Sequence, residues 1–163
     1  MADLLTPSQT VGPFFSIGLC LRPEHELVPA SVEGAVAISG RVLDGDGEPV
    51  PDAVVEAWDR SGGRWGRCGT DPEGGYRLVS ARPRPGSNGE APHLALLVFA
   101  RGLLKPVMTR MYLPDEERAN ATDPVLSALD RDERATLVAH RDGDGLEFDI
   151  RLQGDGQTTF FAL

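Results

Sequence analysis

The chain has 163 residues, of which 40% are hydrophobic and 25% charged, with a formal net charge of −9. This is one domain's worth of globular protein, long enough to bury roughly two-thirds of the surface its unfolded chain exposes. The acidic balance disfavours nucleic acid and anionic membrane as partners, and no apolar run approaches the ~20 residues that a bilayer span needs.

The amino-terminal MADLLTPSQTVGP lacks a basic stretch followed by an apolar core, so no secretion signal is expected. Cys20 and Cys68 have no metal-ligand spacing, which points to reduced thiols and a cytoplasmic protein. Residues 1–33 carry little periodicity and several prolines, and read as an extended arm ordered by packing on something else. From Gly34 the pattern changes. Val36, Ile38 and Val42 fall at strand spacing, and Asp44-Gly45-Asp46-Gly47 reads as a hairpin turn. That turn resembles the start of a calcium loop, but Val55 stands where the terminal glutamate should be. Val54, Val55, Ala57 and Trp58 predict a second strand, and Gly74-Gly75-Tyr76-Arg77-Leu78 opens a third. The near-continuous apolar run 93–100 (HLALLVFA) predicts a strand covered on both faces. Residues 107–113 alternate, as do Leu146, Phe148, Ile150 and Leu152. A helix is predicted with Asp123 as cap and Pro124 at its first position, running to about Leu129, with Arg131 to Arg134 extending it or opening a loop. The expected fold is therefore all-β: an antiparallel β-sandwich over residues 34–163, with an extended N-terminal arm (1–33) and one or two short helices.

Chemistry is sparse. His25, His93 and His140 form no local metal pair, and no nucleophile elbow, phosphate loop or dinucleotide fingerprint occurs. His93 begins an apolar strand, where it can serve as a ligand, a base or a structural histidine. Tyr76 reads as core packing, and His140-Arg141-Asp142 as a solvated turn. Arg110 lies mid-strand, where an unpaired guanidinium is costly, so an internal carboxylate, a ligand anion or a partner chain must meet it. The residues themselves describe a sandwich with an arm and no complete active site.

Several segments, in order along nearly the whole chain, resemble the protocatechuate 3,4-dioxygenase family of intradiol dioxygenases, and its alpha chains in particular. They are TPSQTVGPFF (Thr6–Phe15), ISGRVLDGDGEPVPDAVVEAWD (Ile38–Asp59), APHLALLVFARGL (Ala91–Leu103), TRMYLPDE (Thr109–Glu116), ANATDPVL (Ala119–Leu126) and FDIRLQGDGQTTFF (Phe148–Phe161). The resemblance implies ferric iron, Fe(III), held by two tyrosines and two histidines in a homologous beta chain. At the matching positions here His93 is followed by Leu94 and Ala95, Gly63-Arg64 by Trp65, and the loop Arg82–Asn88 has no tyrosine. No metal site is therefore expected in this chain, and the stretch between Trp65 and Gly74 is shorter than in relatives.

The resemblance further implies αβ protomers in a larger symmetric oligomer, acting on a small aromatic substrate, 3,4-dihydroxybenzoate, with O2. Thr10, Gly12, Pro13, Phe14 and Arg110 would then line the substrate cleft of the beta chain, and no catalytic residue would lie in this chain alone. The competing readings are a homomeric dioxygenase with unfamiliar ligands and a non-catalytic β-sandwich binding module.

Overall fold

Period-two alternation of apolar side chains folds the chain into two facing sheets, and the computed structural model describes residues 5–162 of it. Helix α1 (Phe14–Leu19) precedes strands β1 (Ala35–Leu43), β2 (Val54–Asp59), β3 (Arg64–Gly69), β4 (Gly75–Ala81), β5 (His93–Phe99) and β6 (Val107–Tyr112). Helices α2 (Glu117–Thr122), α3 (Pro124–Ser127) and α4 (Arg131–Ala135) follow, then β7 (His140–Asp142), β8 (Gly145–Glu147) and β9 (Ile150–Arg151). One sheet has the order β3-β2-β5-β6 and the other β4-β1-β8-β7, with β9 also on β1. Val55, Ala57, Leu94, Leu96 and Val98 from the first sheet meet Ile38, Val42, Leu78, Leu146 and Ile150 from the second in one core.

The β-sandwich matches expectation, with corrections. The first sheet is antiparallel throughout, but in the second β1 pairs in parallel with both β8 and β9. Among the described residues there are four short helices rather than one or two. Arg131–Ala135 is a helix of its own, because Asp130 and Glu133 form a capping box ahead of it. Phe14–Leu19 is helical inside the segment read as extended. Residues 140–142 pair with β8 as an edge strand instead of forming a turn. Strand β5 is not covered on both faces: Leu94, Leu96 and Val98 are buried, while His93, Ala95, Leu97 and Phe99 are half-buried on the outer face. As expected, Asp44 organises the turn after β1, accepting from Asp46 N–H and Glu48 N–H at 2.9 Å each.

β8 and β9 lie along one side of β1 and are separated by a break at Phe148-Asp149. The break has a packing cause. The Phe148 carbonyl turns in over Gly40, where a Cβ would lie 2.0 Å from its oxygen. Only glycine admits this approach. Tyr76 Oη, opposite Gly40 in the β1–β4 pair, donates to the same carbonyl. Buried Tyr76 is thus core packing with its hydroxyl satisfied.

The base of the amino-terminal segment is stitched onto both sheets. Arg67 N–H donates to Glu24 O at 2.8 Å, Val79 N–H to His25 O at 2.9 Å, and Leu27 N–H to Val79 O at 2.8 Å. Leu27 enters the core. No helix among the described residues is long and apolar enough to cross a membrane.

Tyr76→Phe leaves the buried Phe148 carbonyl without its donor and should cost about 1–2 kcal/mol. Urea unfolding should show a lower midpoint at unchanged slope; an unmoved midpoint would remove the hydroxyl from the account of the β8–β9 break.

Candidate functional site

Side chains with chemistry gather on the outer face of the β3-β2-β5-β6 sheet. Cross-strand register sets them in rows, because directly opposed residues share a face. Trp65 opposes Trp58, Trp58 opposes Ala95, and Ala95 opposes Arg110, so one row crosses all four strands. The next row begins with His93 and Tyr112. The two indoles lie 5.9 Å apart, and the Arg67 guanidinium sits 4.5 Å above the Trp65 ring.

An internal carboxylate meets Arg110. Its Nη1 donates to Glu90 Oε1 at 2.8 Å and to Tyr112 Oη at 3.3 Å. Tyr112 in turn donates to Asp123 Oδ1 at 3.2 Å. Asp123 is fully buried and also accepts from Ala91 N–H at 2.7 Å and from Val125 and Leu126 N–H at 2.8 Å each. Burial pushes the Tyr112 phenol up to about 12, so it remains a donor. Burial also draws the Arg110 pKa down, but its bonds to Tyr112 and Glu90 outweigh this and raise it overall. His93 Nδ1 donates to the Ala91 carbonyl at 2.8 Å, since a carbonyl only accepts. The same imidazole packs 5.2 Å from the Tyr112 ring, and burial lowers its pKa. It is neutral at pH values above the ordinary histidine value of about 6.5.

The loop of residues 82–92 is held beside this face. Arg84 N–H donates to Ser61 Oγ at 2.8 Å and Arg84 Nη2 to Ser61 O at 2.7 Å. Ser61 is itself fixed by buried Asp59, at 2.6 Å, which also pairs with Arg64 at 2.9 Å. Between loop and sheet lies a cleft of ≈ 250 Å³ lined by Trp58, Arg60, Arg84, Asn88, Glu90 and His93.

The other expected site residues lie elsewhere. Thr10 Oγ1 accepts from Gly102 N–H at 2.8 Å, and Phe15 packs 5.3 Å from Phe99 at the far end of β5. Thr10, Gly12, Pro13 and Phe14 are exposed, Phe14 to 80%. Phe99 is four residues beyond Ala95, about 13 Å along the strand. Within one chain, therefore, the arm residues and Arg110 do not share a cavity. Glu90 and the reach of Asp123 escape sequence reasoning. Glu90 lies three residues before His93, but its pairing with Arg110 depends on how the 82–92 loop is folded against the β5–β6 ladder.

No protein-family model matches the chain. The protocatechuate 3,4-dioxygenase alpha chain of Burkholderia cepacia is 38% identical over 191 aligned positions, covering 97% of this chain and 97% of that protein. The chain belongs to the protocatechuate 3,4-dioxygenase alpha-chain family. The protocatechuate 3,4-dioxygenase beta chain of the same organism is 28% identical over 83% of this chain and 74% of that one. The dioxygenase domain of a dioxygenase and carbohydrate-binding protein fusion from Streptomyces sp. SirexAA-E shares the fold, with TM-score 0.63 and 21% identity over 94% of this chain and 96% of that one. The alignment with the B. cepacia alpha chain spans 191 positions against 163 residues here, so that relative carries stretches this chain lacks.

In this alpha-chain family member the donor set does not fit a ferric ion. Position 95 faces the same side as His93 but carries a methyl group, and the outer-face position after Gly63-Arg64 carries the indole of Trp65. Tyr76 points into the core, and the Tyr112 hydroxyl is engaged by Arg110 and Asp123. One imidazole is left, beside an arginine.

Asp123→Ala removes the acceptor of four donors and should cost about 3 kcal/mol or more. Denaturant unfolding of the variant checks this; a loss under about 1 kcal/mol would mean that water replaces the carboxylate.

Proposed function

We propose that this chain is the subunit that holds no iron in an αβ intradiol dioxygenase, and that it walls the substrate cleft of a homologous, iron-bearing beta chain. The conversion is that of 3,4-dihydroxybenzoate and O2 to 3-carboxy-cis,cis-muconate, with both oxygen atoms inserted between the two hydroxyl-bearing carbons. The observation that carries this reading is the outer-face row Trp65-Trp58-Ala95-Arg110 beside His93, where a cation and indoles stand in place of a ligand set. Fe(III) belongs to the partner, and the αβ pairs assemble into a larger symmetric oligomer.

This chain's share is binding and orientation. Gly12-Pro13 gives the arm a fixed backbone beside a residue without a side chain, which lets it approach a ligand closely. Thr10 and Phe14 stand on either side of that step, and the exposed Phe14 ring supplies an apolar wall for an aromatic substrate. Arg110 presents a guanidinium toward the substrate carboxylate. Its charge is shared with Glu90, so the attraction is moderate, and the Tyr112-Asp123 pair fixes the guanidinium from behind. Thr10 and Phe15 hold the arm to its own sheet, and the exposed Gly12, Pro13 and Phe14 face the partner.

Co-expression with the beta chain tests the whole reading. Iron and ring cleavage should appear in the complex, whereas iron bound stoichiometrically to this chain alone would sink it. In the complex, Arg110→Ala should raise KM about tenfold, the loss of roughly 1.4 kcal/mol, with kcat and iron content little changed. Unaltered kinetics across substrate concentrations would take Arg110 out of the cleft. Deleting residues 1–14 should lower activity several-fold while circular dichroism reports an intact sandwich; full activity without them would end the cleft-wall role.

A further inference from the structure

The cleft between the 82–92 loop and the outer sheet adjoins Arg110 through Glu90 and Ala95 but is not lined by Arg110 itself, and its lining is chemically specific. The chain as a whole carries −9, but Arg60 and Arg84 both line this cleft. Neither is in an ion pair among the described residues. Glu90, the carboxylate in the lining, is already engaged by Arg110 at 2.8 Å. The local field therefore favours an anion.

Four further features narrow the ligand. Trp58 is 46% exposed and offers a broad aromatic face beside the arginines. His93 holds its Nδ1 proton on the Ala91 carbonyl, which makes Nε2 an acceptor, and that nitrogen has no hydrogen-bond partner among the described residues. Ala95 keeps the floor of the cleft free of bulk. At ≈ 250 Å³ the space is below the 300–1,000 Å³ common for drug-sized ligands and suits a one-ring molecule.

We infer that this cleft is a second ligand site, for a hydroxylated aromatic carboxylate. The ring lies against Trp58, the carboxylate meets Arg60 and Arg84, and a ring hydroxyl donates to His93 Nε2. The site binds its ligand within this chain and is separate from the cleft that the arm and Arg110 serve in the partner.

The test is calorimetric titration of the αβ complex with 4-hydroxybenzoate. Two sites per αβ pair are expected. Arg60→Gln should weaken one of them at least tenfold while leaving unchanged the inhibition of ring cleavage by the same compound. Arg60 is exposed, so the variant should fold, and Trp58→Leu provides a second, uncharged disruption of the same site. A single site per pair, or two sites indifferent to both variants, overturns the inference. An Arg60-dependent site in a complex without ring cleavage would leave the inference standing and defeat the subunit assignment instead.

Discussion

Asp123 accepts four hydrogen bonds from three stretches of chain, and much of the outer face depends on it. Two of the donors are the first free N–H groups of α3, where the helix end favours a negative charge. The third is Ala91 N–H, which pins the end of the 82–92 loop, and the fourth is the Tyr112 hydroxyl on β6. A buried carboxylate with no cation in direct contact is tolerable only because every partner is in place. Once it is satisfied, the loop and β6 are fixed relative to each other, and Glu90 on the loop meets Arg110 on the strand. The chain of contacts from helix cap to guanidinium is continuous.

That continuity gives the outer face its character. Cross-strand register would place a residue at 95 beside His93 and a residue at 65 in the next row, close enough for a shared ligand set. The side chains there are a methyl group and an indole. What remains favours holding a flat anionic molecule over activating one: neutral imidazole, aromatic faces and guanidinium groups. A sandwich of this kind can therefore carry binding groups on its outer face without carrying a metal-ligand set there.

The strands β1, β2, β4, β5 and β6 are legible because Val36, Ile38, Val54, Leu78, Leu94 and Met111 recur at the period of the pleat. Strand β3 is not, since RWGRCG has glycine at its buried position and no apolar alternation. Helix α1 hides behind Gly12-Pro13, which reads equally well as arm. The parallel pairing of β8 and β9 with β1 cannot be seen in the text, because side chains alternate in the same way in parallel and antiparallel ladders. At the site, Arg110 announces itself as a charge in a strand, and His93 as an imidazole ahead of apolar residues. Glu90 looks like any loop carboxylate until the 82–92 loop is seen to fold against β6, and Asp123 is legible only as a helix cap.

The stitching at Glu24, His25 and Leu27 gives everything before it a fixed point of departure, anchored to one strand in each sheet. From there, the 19 residues from 5 to 23 could extend at most about 65 Å, at ~3.4 Å each. The same segment is held nearer by α1, by Thr10 on Gly102 and by Phe15 on Phe99, so its exposed tip stays at a high effective concentration against whatever adjoins that face. A weak contact made by that tip can therefore be well occupied without a high intrinsic affinity. The vulnerable point of such a device is its mooring: loosening Leu27 from the core would lengthen the tether and dilute its tip, without altering any side chain of the tip itself.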